Sequence, residues 1–260
     1  EAVSAFIRDK AEGHPFFSEE LAYALRDAGL ITVVNGECRL TPTAGDLRDL
    51  NFPDTVQGVI TSRIDRLAPP QQLALKVASV IGRVFAFRTL SDIHPVEADK
   101  PRLGEYLNVL QPLDITPLES PEPSLAYIFK HIITQEVAYN LMLFSQRREL
   151  HRAVAQWIER TYADHLSPSY PLLAYHCGKA DLTLKAIDYL EKAGEQALNN
   201  YANQEAVAFF NEALALSEER RTSAADRRAN RPQSRSSERR AMPVVRAVPF
   251  QRARWRRQLG

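Results

Sequence analysis

The chain has 260 residues, 45% of them hydrophobic, and a formal net charge of +1, enough for two small domains or an extended helical array. No apolar run is long enough to cross a membrane as a helix, and no stretch of these residues reads as a signal peptide, so none is expected. The near-neutral balance hides an asymmetry: residues 219–260 hold 13 arginines, no lysine and three acids, a net of +10, so the preceding body is net −9.

The chain has no initiator methionine and opens inside what reads as a helix, Glu1 to Lys10, so a piece of a longer protein is expected. The stretch AEGHPFFSEELAYALRDAGL follows. Gly13 can take a positive φ, and Pro15 fixes its own φ and pushes His14 towards an extended backbone. Ser18 reads as the N-cap of the next helix, with Glu19 and Glu20 where the dipole favours acids. Leu21, Leu25 and Ala28 share one face, and Gly29 ends the helix. The turn is either a plain helix–helix connection or a surface that offers its backbone and proline ring to a ligand. LITVVNGECRLT then predicts a hairpin turning at Asn35-Gly36.

FPDTVQGVITSRIDRL reads as a helix capped by Asp54, with Val56, Ile60, Ile64 and Leu67 at helical spacing. In APPQQLALKVASVIG, Pro70 suits the first turn, Leu73, Val77, Val80 and Ile81 face inward, and Gly82 stops the helix. FAFRTLSDIH reads as a short helix and RLGEYLNVLQPLDIT as another, before a strand from Leu125 to Phe129 that runs into a helix. Three helices and a terminal strand pair make residues 51–145 winged-helix-like. From residue 146 the pattern is purely helical, and Ala186, Ala193, Ala197, Ala206 and Ala213 fall where helices must approach closely. The expected fold is mainly α, ending over 146–218 in tetratricopeptide-like paired helices, with only part of an array visible.

Residues 219–260 are rich in Arg, Ser, Ala and Pro and show no apolar periodicity, so they read as an arm that does not order itself. Two origins fit: a basic arm for acidic partners, or translation of G/C-rich DNA in a wrong frame. The abrupt loss of lysine favours the second. Cys38 and Cys177 lie far apart without a pairing pattern, so reduced thiols and a cytoplasmic setting are expected.

Catalytic motifs are missing. A P-loop needs Gly-x4-Gly-Lys-Ser/Thr, but the only Gly-Lys, Gly178-Lys179, has Leu173 and Ala180 where Gly and Ser/Thr belong. No nucleophile elbow or zinc spacing occurs. His165, His176 and Cys177 do not fit a metal-ligand set, and a helical surface with a buried thiol is the expectation there. This chain alone is not expected to be an enzyme or to hold a metal.

Four blocks in order, AEGHPFFSEELAYALRDAGL, PDTVQGVITSRIDRLAPPQQLALKVASVIGRVF, YIFKHIITQEVAYNLMLFSQRRELHRAVAQWIE and YANQEAVAFFNEALAL, resemble the region after the ATPase core in bacterial STAND-type, AAA+-like signal-transduction ATPases. The likeness covers about residues 1–218 and is closest to proteins carrying a class III adenylate/guanylate cyclase domain and tetratricopeptide repeats. It implies that residues 1–50 are the end of an ATPase lid, and that ATP or ADP binds mainly on an upstream core. Gly13, His14 and Pro15 then match a Gly-x-Pro turn that packs on adenine, with His14 departing from the commoner Asn. Lys130 and His131 stand where a winged-helix histidine reaches the β-phosphate. The implied partners are the upstream core, an effector and a protein or peptide on the repeats. The competing reading is a winged-helix nucleic-acid binder with a basic tail. Its candidate recognition helix, PRLGEYLNVLQPL, has one Arg and one Glu in an acidic body, so nucleic acid is not the expected partner.

Overall fold

The computed structural model describes residues 2–34, 37–42 and 53–229. The described residues are mainly helical, with two small antiparallel sheets. The first compact unit ends at Arg220; of the second, from Arg221 on, only a helical stretch to Ala229 is described. The Asn35-Gly36 turn, the 43–52 connection and residues 230–260 lie outside the described residues.

Helix α1 (Ala2–Ala11) leads through a turn into α2 (Pro15–Asp27). The N-cap of α2 is His14, not Ser18: the His14 Nδ1 accepts the Phe17 N–H at 3.3 Å. Pro15 can start the helix because its missing N–H would have had no intrahelical partner. Leu21 and Leu25 are fully buried, and Gly29 exits at φ +69°. Strands β1 (Ile31–Val34) and β2 (Glu37–Leu40) pair antiparallel with Val34 opposite Glu37, the register expected for the hairpin.

Helix α3 (Val56–Asp65) is capped by Thr55 rather than Asp54: the Thr55 hydroxyl accepts the Gly58 N–H at 3.1 Å. Helix α4 (Pro69–Ile81) buries Ala74, Leu75, Val77, Ala78 and Val80, while Leu73 and Ile81 lie at the edge. FAFRTLSDIH is not one helix. Phe85 and Ala86 belong to β3 (Val84–Ala86), and α5 (Phe87–Ile93) follows. Phe85 is buried against Tyr127 and Phe129, so sheet packing overrides local helix preference there. Helix α6 (Leu103–Leu110) precedes β4 (Leu118–Ser120) and β5 (Ala126–Ile128), a shorter strand than Leu125 to Phe129. The expected strand pair is thus a three-stranded sheet, ordered β3-β5-β4.

Helices α7 (Ile132–Asn140), α8 (Phe144–Thr161), α9 (Tyr170–Lys179), α10 (Thr183–Asn199) and α11 (Asn203–Ala229) complete the described residues. Helix α11 continues past Glu219, where the sequence reading ends it. Its Ala, Arg and Glu are strong helix formers, and that propensity needs no apolar stripe.

The apolar residues form two clusters. The smaller gathers Val3, Phe17, Leu21, Leu25 and Ile31 with Val59 of α3. The larger runs without a break from Ile60 through the sheet to Ala213, so the α4–α7 region and the terminal helices share one interior.

Candidate functional site

The turn before α2 is built by hydrogen bonding. The Glu12 N–H donates to the Arg8 carbonyl at 3.0 Å and the His14 N–H to the Ala11 carbonyl at 2.8 Å. This closure puts Glu12 at φ 49° and Gly13 at φ 81°. A Cβ on Gly13 would meet nothing within 4 Å, so glycine serves the backbone angle there and not a close approach. His14 lines a cleft of about 580 Å³ with Asp9, Lys10, Glu12, Phe17 and Asp54. Lys10 Nζ lies 2.5 Å from Asp54 Oδ1. Three carboxylates against one lysine make this cleft repel a phosphate and suit a neutral ring or an amine.

Lys130 and His131 sit where β5 passes into α7, and His131 is the N-cap of that helix. Both lie against α2. The Phe16 ring is 4.5 Å from the His131 ring. Glu19 reaches both bases: Lys130 Nζ donates to its Oε1 at 2.8 Å, and His131 Nε2 stands 3.4 Å from its Oε2. Lys130 also donates to the Tyr23 hydroxyl and lies 4.0 Å from Asp114. Burial opposes the Lys130 charge, but Glu19 and Tyr23 outweigh it and raise its pKa. The hydrogen bond from Lys130 holds Glu19 below the usual carboxylate range, against the opposing effect of burial.

The rest of the α2 seam is ionic too. Arg63 of α3 is buried, with Nη1 2.7 Å from Glu20 Oε2, Nε 2.8 Å from Asp27 Oδ2, and Nη2 donating to the Leu113 carbonyl at 2.5 Å. The guanidinium of Arg26, that of Arg63 and the Lys130 ammonium all lie within 5 Å of the Tyr23 ring centre. Thus Phe16, Glu19, Glu20, Tyr23 and Asp27 turn one face of α2 towards Lys130, His131 and Arg63. His14 and Phe17 turn another towards the cleft. The structure therefore brings the two predicted groups, Gly13-His14-Pro15 and Lys130-His131, onto the same two turns of α2. It also gives His14 a capping role and Lys130 an internal carboxylate, neither foreseen from sequence. Glu19 and Glu20 read there only as first-turn acids, and Arg63 carried no local signal.

A second polar cluster lies at the start of the terminal helices. The His151 and His176 side chains are fully buried, with their Nδ1 atoms 2.8 Å apart. The Tyr139 hydroxyl is 2.9 Å from His151 Nε2. His176 Nε2 is buried with no hydrogen-bond partner among the described residues. Burial lowers the pKa of His151 to about 4, with Lys179 and Arg147 adding to the effect, and that of His176 to about 3, with His151 adding. Burial pushes the neighbouring Cys177 thiol up to about 11. The Cys177 thiol is buried as expected, but His176, expected on a helical surface, is fully buried with it. No group of three or more His, Cys, Asp or Glu among the described residues could hold a metal ion, and no described helix is long and apolar enough to cross a membrane.

Residues 1–39 match a domain of unknown function (DUF8739). The chain is 27% identical over 161 residues to the uncharacterized protein R02095 of Rhizobium meliloti (strain 1021). That match covers 62% of this chain and 15% of the relative, so the chain corresponds to a small part of a much longer protein. No solved structure matches.

Proposed function

We propose that this chain is a regulatory segment of a multidomain nucleotide-switch ATPase, coupling the ATP or ADP state of an upstream core to protein binding on its terminal helices and to an attached effector of the nucleotide-cyclase kind. The observation that carries this reading is the convergence of two distant sequence groups: Gly13-His14-Pro15 opens α2, and Lys130-His131 packs on the same helix through Phe16 and Glu19. The acid-lined cleft beside His14 supports a role against a base rather than a phosphate. The Lys130 ammonium beside His131 at the start of α7 supports the phosphate end. Phosphate there must compete with the Glu19 carboxylate, so the segment favours whichever nucleotide best displaces it.

The test is to join the segment to its upstream core and titrate ADP and ATP by calorimetry, with and without residues 1–218. The segment is expected to tighten one nucleotide relative to the other, and His131→Ala to remove most of that preference. Equal affinities with and without the segment would sink the reading.

A further inference from the structure

Helix α7 is capped by His131, in the site just described, and carries Tyr139 near its other end, about 12 Å along its axis. At that far end the Tyr139 hydroxyl meets His151 of α8, and His151 meets His176 of α9. We propose that half-buried Tyr139 and the buried His151 and His176 form a hydrogen-bond relay through which the position of α7 is read by the terminal helices. The relay rests on the proposed regulatory reading for its purpose, but not for its existence.

The atoms allow two arrangements. In one, the Tyr139 O–H donates to His151 Nε2, His151 Nδ1–H donates to His176 Nδ1, and His176 keeps its proton on Nε2. In the other, His176 Nδ1–H donates to His151 Nδ1, and His151 Nε2–H donates to the Tyr139 oxygen. Each imidazole carries one proton in both, and Tyr139 keeps its own, so the arrangements differ in proton position and not in number. Interconversion moves one proton along the chain, from the Tyr139 O–H to His151 Nε2 and from His151 Nδ1 to His176 Nδ1, while His176 Nε2, without a hydrogen-bond partner among the described residues, releases one to solvent during a transient opening and Tyr139 regains one.

Both rings stay neutral, which the relay requires. The groups facing them are Tyr139 from α7, Arg147 from α8, and Tyr175 and Lys179 from α9, so the neighbouring charges are positive and oppose a third proton. Arg147 also stacks over the Tyr139 ring at 4.7 Å and donates to the Met142 and Asn140 carbonyls, which fixes the end of α7 against α8. A small shift of Tyr139 alters one hydrogen bond of His151, and therefore which tautomer His151 offers to His176. That is a discrete two-state element, which a coupling path needs.

Imidazole nitrogen NMR on the full chain tests this. Nitrogen shifts separate the two tautomers of each ring. The native protein should show complementary tautomers at His151 and His176, and Tyr139→Phe should shift the tautomer ratio of His176, which it does not touch, by about threefold or more. Glu19→Gln, at the other end of α7, should move the same signals in one direction. Unchanged His176 signals in Tyr139→Phe would overturn the relay. If Tyr139→Phe moves them and Glu19→Gln does not, α7 does not transmit, and the proposal fails at that step. A double-mutant cycle of Tyr139→Phe with His176→Leu keeps the test open if one variant is weakened: a coupling factor of about threefold in the unfolding constant is expected, and additivity overturns the relay. None of these readouts involves nucleotide, so they stand or fall apart from the nucleotide titrations.

Discussion

Arg63 shows how one side chain can decide an interface. Its guanidinium is buried between Glu20 and Asp27 and caps the Leu113 carbonyl, so it ties α2 to α3 and to the turn after α6. Arg63→Met keeps most of the volume but leaves the buried Glu20 carboxylate without its cation and Asp27 with Arg26 alone. A loss of about 3–5 kcal/mol is expected by urea unfolding at neutral pH. Glu20→Gln combined with Arg63→Met should recover part of it, since the stranded charge is then gone. This arrangement was illegible in the sequence because its members lie far apart and each looks like an ordinary surface charge. His14 was hidden for another reason: histidine is an uncommon N-cap, and Ser18 offered a commoner one a few residues on.

At the scale of elements, periodicity was informative wherever one face is buried. The spacing of Leu21 with Leu25, and of Val77 with Val80, marked α2 and α4, and Asn35-Gly36 marked the β1–β2 register. Strand β3 was missed because three residues are too few to show alternation, and its partner strand lies about forty residues away. The contact between α10 and α11 carries its own prediction. A Cβ on Gly194 would stand 2.7 Å from two atoms of the Phe210 ring. Gly194→Ala therefore sets an overpacking cost of about 1–3 kcal/mol against a helix-propensity gain of about 1 kcal/mol. A net loss in thermal stability is expected. In a Phe210→Leu background the clash is relieved, and the same substitution should become stabilising.

For the whole molecule, acid sensitivity follows from the His151–His176 pair. Both have folded-state pKa values below their ordinary 6.5, about 4 and about 3, so the unfolded chain binds protons that the fold refuses. Their neutral packing is therefore fully tolerated above about pH 6.5, and stability falls as pH drops from there towards 4, by up to about 1.4 kcal/mol per pH unit for each proton. Glu19 and Glu159, both lowered by their lysine partners against the opposing effect of burial, add their own loss only below about pH 4.5. Denaturant midpoints measured from pH 7 to 4 should fall less steeply in His176→Leu, by about one proton. A variant with the native slope would remove the pair from the account. The mainly α architecture at this scale was readable from helix after helix. The continuity of the larger core was not, because sequence shows which faces are apolar and not which helices those faces meet.

That continuity bears on how such a segment can be rearranged between genes. A recombination joint between α7 and α8 would part the Trp157 indole N–H from Asp92 of α5, 2.9 Å away, and strip Val154 and Ile158 of their interior neighbours. The terminal helices could not travel alone into another protein without exposing that face to water. Nor could the cut fall before α3, because it would part Arg63 from Glu20 and Asp27 and Val59 from the smaller core, so the helices from α1 to α10 are inherited or lost as one piece.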